Sequence, residues 1–101
     1  MNKIIAILTQ KGLLGKDIQI DTLVNVFKLE DEKIREYDSI QLDNNDNASF
    51  SRLMKIKDIS LLYIDTISEE LENMLSKLGI IIKRKEEWGE DKFISQFVFA
   101  Q

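Results

Sequence analysis

The sequence contains neither cysteine nor histidine. Without cysteine, the chain forms no disulfide bond and has no thiolate to ligate zinc or an iron–sulfur cluster. Without histidine, it lacks the commonest metal ligand and the commonest general base near neutral pH. Any metal site of its own would consist of carboxylate and carbonyl oxygens, which suit calcium or magnesium. We therefore predict that the chain holds no metal and no cofactor, and that it is not an enzyme.

Long apolar runs are also missing. The amino-terminal run, residues 4–8, is shorter than the core of a secretory signal, which needs at least about seven apolar residues. No stretch approaches the roughly 18–20 apolar residues of a membrane-spanning helix. These features predict a cytoplasmic protein that does not associate with a membrane.

The charge balance gives no sign of a nucleic-acid partner. The chain has 14 basic and 18 acidic residues, for a net charge of −4. Basic residues cluster only at 83–85, and Glu86 and Glu87 follow them at once. Nucleic-acid binders usually carry a basic face or stripe. We predict no nucleic-acid binding.

The length and composition indicate one folded domain. The chain has 101 residues, of which 44% are hydrophobic and 32% are charged. A chain of this size can bury enough apolar surface to fold without disulfide bonds or metals. We predict that residues 1–101 form a single domain.

Five segments have the β-branched and apolar character of strands: 3–9, 22–30, 34–42, 59–65 and 80–84. The three polar residues 31–33 suit a hairpin between the second and third segments. Residues 10–20, which contain two of the four glycines, are predicted to form a loop. Leu13 and Leu14 would suit a partner contact if they are exposed there.

Two segments between these strands have helical character. Asn44–Asn47 belong to a cluster of turn formers that precedes a helix at 48–57. Thr66 and Glu69 have the spacing of a capping box, with Thr66 as the N-cap. The helix after Thr66 has one apolar face and ends at Gly79. That face consists of Ile67, Leu71, Met74, Leu75 and Leu78.

The carboxyl-terminal segment fits two structures. Phe93, Ile94, Phe97 and Val98 form a helical stripe, whereas Phe93, Phe97 and Phe99 also fit the period of a strand. We favour the helix. Aromatic residues are concentrated in this segment, which predicts that it covers the sheet or provides the surface of a homodimer or protein partner. These aromatic residues are Trp88, Phe93, Phe97 and Phe99.

The order of elements is therefore β-β-β-α-β-α-β-α. An initial meander followed by two crossovers predicts a five-stranded mixed sheet, because a crossover through a helix returns the chain as a parallel strand. Helices on both faces of that sheet would make a three-layer α/β/α sandwich.

This arrangement resembles a known family. The hairpin VNVFKLEDEKIREYDSIQL and the later segment ISLLYID-TISEELENMLSKLGIIIKR are similar to the dinitrogenase iron–molybdenum cofactor biosynthesis family. That family comprises NifX-like carrier proteins and the carboxyl-terminal domain of NifB. The resemblance covers residues 3–85 and implies a ribonuclease-H-like fold. It also implies binding or carrying of an iron–sulfur-type cofactor precursor, without catalysis.

The chain departs from the family at three places. Many members have a histidine in a His-Phe-Gly motif before the second strand, where this chain has Asp17-Ile18-Gln19-Ile20-Asp21. Members have glycines at the places occupied here by 44–47 and 65–68. We therefore expect a divergent member that keeps the fold and does not hold the metallocluster.

Four residues are candidates for a ligand contact because of their position. Ligands of open α/β sheets bind beyond the carboxyl ends of the strands, where helix amino termini offer free N–H groups. Asp65, Thr66 and Ser68 follow the fourth predicted strand, and Asn47 precedes the first helix. The structural interpretation is that these side chains only start helices. A metal-assisted hydrolase would need Asp65 to converge with other carboxylates, such as Asp17 and Asp21.

Overall fold

The computed structural model describes residues 2–31 and 33–84. The elements in chain order are β1 (Asn2–Gln10), β2 (Leu13–Leu14), β3 (Leu23–Glu30), β4 (Lys33–Gln41), α1 (Asn47–Ile56), β5 (Leu61–Ile64), α2 (Glu69–Lys77) and β6 (Ile81–Arg84). The five predicted strands and the two predicted internal helices are all present. The prediction missed β2, which lies inside the predicted loop, so the described residues form a sheet of six strands rather than five.

The strands form one mixed sheet in the order β4-β3-β1-β5-β6, and β2 pairs with the end of β1. Strands β1, β3 and β4 are antiparallel neighbours, as expected for a meander. Strands β1, β5 and β6 are parallel, as expected for strands joined through helices. Strand β1 is therefore central and is buried along its length from Ile5 to Thr9.

Both described helices pack on one face of the sheet, which we call the helix face. Helix α1 buries Phe50 and Met54, and α2 buries Leu71 and Leu75. They pack against alternate residues of the strands, since side chains along a strand point to opposite faces. These strand residues are Ala6, Leu8, Val24, Val26, Leu62 and Ile64. Neither described helix is long and apolar enough to span a membrane.

The opposite face of the sheet, which we call the second face, has its own buried cluster. Its described members lie on strands: Ile5, Ile7, Leu14, Phe27, Leu61 and Tyr63. The predicted third helix and the aromatic residues of the carboxyl-terminal segment fall in 85–101, outside the described residues. The third layer of the sandwich, and the choice between helix and strand for this segment, therefore stay predictions.

The start of α2 differs from the predicted capping box. The N-cap is Ser68, whose hydroxyl accepts a hydrogen bond from the backbone N–H of Leu71, and not Thr66. Thr66 lies two residues before this cap and forms an isolated parallel bridge with Lys16, so the helix starts later than the predicted capping box requires. At the other end, Gly79 ends the helix as predicted, with a φ of +82° that a glycine adopts without strain.

Candidate functional site

The carboxyl ends of β1, β5 and β6 meet at one edge of the sheet, which we call the carboxyl edge. The antiparallel β4 also ends there, because Thr9 is opposite Leu23 and Leu23 is opposite Gln41. The amino termini of α1 and α2 follow β4 and β5 at this edge. All four predicted ligand-contact residues therefore lie at the carboxyl edge.

The chain's own backbone occupies the end of β5 at this edge. The N–H of Asp65 donates to the carbonyl of Gly15 at 2.7 Å, and the N–H of Asp17 donates to the carbonyl of Thr66 at 2.7 Å. Gly15 also donates to the carbonyl of Leu8 at 2.7 Å. The backbone groups that could have faced a ligand beyond β5 thus bind residues 15–17 instead.

The close approach of residues 15–17 to β1 favours glycine at position 15. A Cβ there would lie 3.2 Å from the carbonyl oxygen of Leu8 and 3.3 Å from the Leu8 Cβ. Gly15 is buried, so the neighbouring strand would have to shift. This glycine therefore serves chain packing, whereas a phosphate-binding loop uses glycine to bring the backbone close to a phosphate.

The side chain of Gln10 joins this segment to the start of β3. Its amide nitrogen donates to the Asp17 carbonyl at 3.0 Å and to the Thr22 hydroxyl at 3.1 Å. Its amide oxygen accepts from the Lys16 N–H at 3.1 Å. The Thr22 hydroxyl also accepts from the Gln19 N–H at 3.0 Å. The Gln10 and Thr22 side chains thus link separate segments of the chain at the carboxyl edge.

The four predicted contact residues have structural roles in this arrangement. Asp65 and Thr66 use their backbone to bind residues 15–17, and Ser68 caps α2. Asn47 is the first residue of α1, and its neighbour Asp46 is the N-cap. The structural interpretation of these positions therefore accounts for the contacts that these four residues make.

Asp46 is an exposed carboxylate with a well-formed cap. It accepts from the Ser49 hydroxyl at 2.7 Å and from the Ser49 N–H at 3.1 Å. The Ser49 hydroxyl is the main cause that lowers the pKa of Asp46, and the Ser49 N–H adds to it. Asp46 is therefore committed to starting α1.

A cleft of about 430 Å³ lies on the second face, and the sequence analysis did not predict it. Its volume falls in the range of small-molecule sites. Most of its lining is aliphatic or aromatic, and a few polar groups lie at one end. The lining residues are Ile7, Thr9, Gly12, Asn25, Phe27, Ile34 and Tyr37.

Asn25 organises the polar end of the cleft. Its amide nitrogen donates to the Ile7 carbonyl and to the Thr9 hydroxyl, both at 3.0 Å. Its amide oxygen accepts from the Tyr37 hydroxyl at 3.1 Å and from the Ser39 hydroxyl at 3.4 Å. Three strands, β1, β3 and β4, are thereby joined on one face through a single side chain.

A β-bulge in β4 places Ile34 and Tyr37 on the same face of the sheet, where they line the cleft. Lys28 pairs with Glu36, but the next residue, Leu29, pairs with Ile34, so Arg35 is an extra residue on β4. Residues three apart in a regular strand point to opposite faces, yet Ile34 and Tyr37 both line the cleft. No local signal in the sequence identifies this bulge, because it is a property of pairing with β3.

A second, smaller cleft of about 280 Å³ lies between the end of β4 and α1. Its lining combines apolar and polar residues of both elements and of the turn that connects them: Ile40, Gln41, Leu42, Asp43, Asn44, Ser49, Phe50 and Leu53. It borders the Asp46 cap but is lined by none of the four predicted contact residues. Its polar groups come from the end of β4, the connecting turn and the first turn of α1.

The described residues do not provide a site for a metallocluster. Within 2–31 and 33–84, no group of three or more His, Cys, Asp or Glu side chains could hold a metal ion. Asp17, Asp21 and Asp65 are among these residues, so they do not form the carboxylate site of a hydrolase. Iron–sulfur clusters are usually held by cysteine thiolates, which the whole chain lacks. The residues present do not fit the cargo that the family resemblance implies.

Comparison with known proteins identifies a fold and no family. No protein-family model matches the chain, and no curated protein matches it in sequence. The fold is similar to that of PH0822, known from a crystal structure, with a TM-score of 0.62 and 12% sequence identity. The similarity covers 80% of this chain and 75% of PH0822. At this identity the likeness concerns the fold alone.

Proposed function

We propose that this chain is a non-catalytic binding protein with an accessory role, and that its binding site is the cleft on the second face. The observation that carries the proposal is the lining of the cleft. Its walls are apolar, and its polar groups are oriented by the hydrogen bonds of Asn25 before any ligand arrives. Apolar walls with a few fixed polar groups are typical of small-molecule sites.

The carboxyl edge supports this choice of site indirectly. The position at which open α/β sheets usually bind ligands is filled here by residues 15–17. The Gln10 side chain, which is the main polar group of that edge, already makes hydrogen bonds to Asp17, Thr22 and Lys16. A ligand at this edge would have to break these bonds, whereas a ligand in the cleft would not.

The fold is part of the same proposal. We propose a ribonuclease-H-like fold of the type found in the nitrogenase cofactor carriers, and a cytoplasmic location. The element order supports the fold: an antiparallel meander of β1, β3 and β4 precedes two parallel strands that are each preceded by a helix. Because the chain has no thiolate and no imidazole, we propose a ligand other than the iron–sulfur precursor that the resembled family carries.

A titration with the uncharged apolar dye Nile red tests the proposed site. We expect one saturable site per chain, and loss of dye binding in Ile34→Trp, which fills the cleft from the exposed strand β4. Ile56→Trp is the matched control, because Ile56 is 72% exposed on α1 and lies outside the cleft. Absence of saturable binding, or equal losses in both variants, would overturn the proposal.

An anaerobic titration with an iron–sulfur cofactor precursor tests the cargo. Because the chain has no cysteine or histidine, we expect no stoichiometric bound iron and no visible absorption band that stays with the protein. Stoichiometric iron would show that the family's carrier role operates through oxygen ligands. Nile red binding does not depend on this result, so the two measurements separate the site from the cargo.

A second candidate function is partner binding through the connection between β1 and β3. Leu13 is 45% exposed and Ile20 is 62% exposed, which fits the expectation that this segment contacts a partner, although Leu14 is buried. Sedimentation of the protein over a range of concentrations tests this candidate. Self-association that weakens in Leu13→Ser or Ile20→Ser would favour it. Association through the aromatic carboxyl-terminal segment lies outside the described residues and stays a prediction.

A further inference from the structure

We infer that the cleft takes an uncharged, flat aromatic molecule with a hydrogen-bond acceptor, and that the Thr9 hydroxyl donates to that acceptor. The inference rests on the proposed function, because it names the class of ligand for the same site. Three features of the described lining residues carry it: an unused donor at the polar end, aromatic and aliphatic walls, and side chains without charge.

The unused donor follows from the orientation of Asn25. The Ile7 carbonyl, 3.0 Å from the Asn25 side chain, can only accept, so the amide nitrogen must face it. The same nitrogen then donates its second hydrogen to Thr9 at 3.0 Å. The Thr9 oxygen is therefore an acceptor in this contact, and its own proton points elsewhere. No acceptor among the described residues takes that proton.

The location of Thr9 places this donor in the wall of the cleft. Thr9 is only 8% exposed, yet it lines the cleft. A ligand that supplies an acceptor for this proton therefore gains the net free energy of one neutral hydrogen bond. This donor favours a ligand with a carbonyl, ether or ring nitrogen over a hydrocarbon that has no acceptor.

The walls determine the shape of the ligand. The rings of Phe27 and Tyr37 lie 4.9 Å apart between centroids, tilted by 43°, and Ile7 and Ile34 complete the apolar lining. Tyr37 is 58% exposed and Ile34 is 47% exposed, so ligand contact would remove this apolar surface from water. An aromatic ring of the ligand can pack against the exposed ring of Tyr37 in an offset or tilted geometry, with the buried Phe27 behind it.

The lining also determines the charge of the ligand. The described lining residues carry neither an acidic nor a basic side chain. Moving a charged group into an apolar site without a partner charge is strongly unfavourable. An uncharged ligand is therefore preferred over its carboxylate analogue.

Titrations with fluorenone and fluorene test the inference. The two molecules share a flat three-ring frame, and only fluorenone has a carbonyl acceptor. We expect fluorenone to bind at one site and to shift the side-chain amide signals of Asn25 in NMR spectra. Fluorene should bind about three- to tenfold more weakly, which is the worth of one neutral hydrogen bond. A carboxylated fluorenone should bind more weakly than fluorenone.

Variants at position 9 assign the donor. Thr9→Val should abolish the preference for fluorenone over fluorene, and Thr9→Ser, which keeps the hydroxyl, should retain it. Equal binding of fluorenone and fluorene by the unaltered protein would overturn the inference, and so would a preference that survives in Thr9→Val. If Nile red binds but neither three-ring probe does, the inference fails while the proposed function stands. If Nile red does not bind either, both fail.

Discussion

Two consecutive residues at the end of β1 face opposite sides of the sheet and have opposite roles. Gln10 points toward the segment that closes the carboxyl edge, and its amide bonds to Asp17, Thr22 and Lys16. Thr9 points to the second face, where it accepts one hydrogen bond from Asn25 and lines the cleft. Gln10 links segments of the same chain, whereas Thr9 keeps a hydroxyl proton that can be donated to a ligand.

The difference shows that position in a fold and availability for binding are separate properties. The carboxyl edge has the position at which ligands bind in open α/β sheets. Its hydrogen-bonding groups, however, stabilise residues 15–22. The second face is a less usual position, but its bulge and its strand-bridging Asn25 leave a preformed cleft. Changes in stability should therefore be largest at the carboxyl edge, and changes in ligand binding largest in the cleft.

The largest expected effect on stability is at Gln10. Gln10→Leu removes the bonds to three partners in a partly buried region, so we expect the free energy of unfolding to fall by about 2–3 kcal/mol. Gln41→Leu is the matched control, since Gln41 makes an exposed bond to Asp21 and should change stability by under about 0.5 kcal/mol. Urea denaturation measures both. Equal losses would mean that the Gln10 contacts do not stabilise the edge.

The cap of α2 provides a smaller test at the same edge. Ser68→Ala removes the N-cap and should lower the free energy of unfolding by about 1 kcal/mol. Thr66→Ala should have little effect, because Thr66 is exposed and binds residues 15–17 through its backbone. Thermal denaturation of both variants decides the assignment. A larger loss of stability in Thr66→Ala than in Ser68→Ala would show that Thr66 is the N-cap, as the sequence pattern predicted.

In the cleft, the Tyr37 hydroxyl should matter little for stability. Tyr37→Phe removes one bond to Asn25 at an exposed position, for an expected loss of about 0.5 kcal/mol. Tyr37→Ala also removes the ring beside Phe27 and should cost roughly 0.5–1.5 kcal/mol more. The same urea measurement separates hydroxyl from ring. A loss of stability in Tyr37→Phe as large as that in Gln10→Leu would mean that the hydrogen bonds of the cleft stabilise the fold as much as those of the carboxyl edge.

The smallest expected effect is a pH dependence at Asp46. Its pKa is lowered in the folded state by the Ser49 hydroxyl, so its ionised form stabilises the fold above the pKa of the unfolded chain. That stabilisation is lost as the pH falls through the lowered pKa. In Asp46→Asn, which keeps a capping acceptor, the loss of stability on acidification should be slightly shallower than in the unaltered protein. Identical pH profiles from thermal denaturation would contradict this.

Much of the fold could be predicted because local patterns agreed with tertiary needs. The apolar runs at 3–9 and 59–65 became the buried strands β1 and β5, and the stripe after position 66 became the buried face of α2. Gly79 ended that helix where the apolar face stopped. The residues predicted to contact a ligand at 65–68 lie at the carboxyl edge, where their described contacts are structural, and their ligand binding stays a prediction. The predicted cap was wrong, because α2 starts at Glu69 and Thr66 lies two residues before the N-cap Ser68, where its backbone pairs with Lys16.

The cleft could not be predicted, because each of its parts depends on pairing between distant residues. Asn25 meets Thr9 only through the register of β1 with β3, and Ile34 meets Tyr37 on one face only through the bulge opposite Leu29. The two-residue strand β2 likewise exists only because it pairs with the end of β1. None of these features leaves a periodic trace in the sequence.

The sequence by itself determined the kinds of element, their order and the chemistry that this chain lacks. Hydrophobic period and turn residues act over a few neighbours, and missing side-chain types are missing in any fold. Only the tertiary structure decided which polar groups are engaged and which face the cleft. The physical reason is that the hydrogen-bond partners of these groups are distant in the sequence. Only the fold decides which donors and acceptors come close enough to pair.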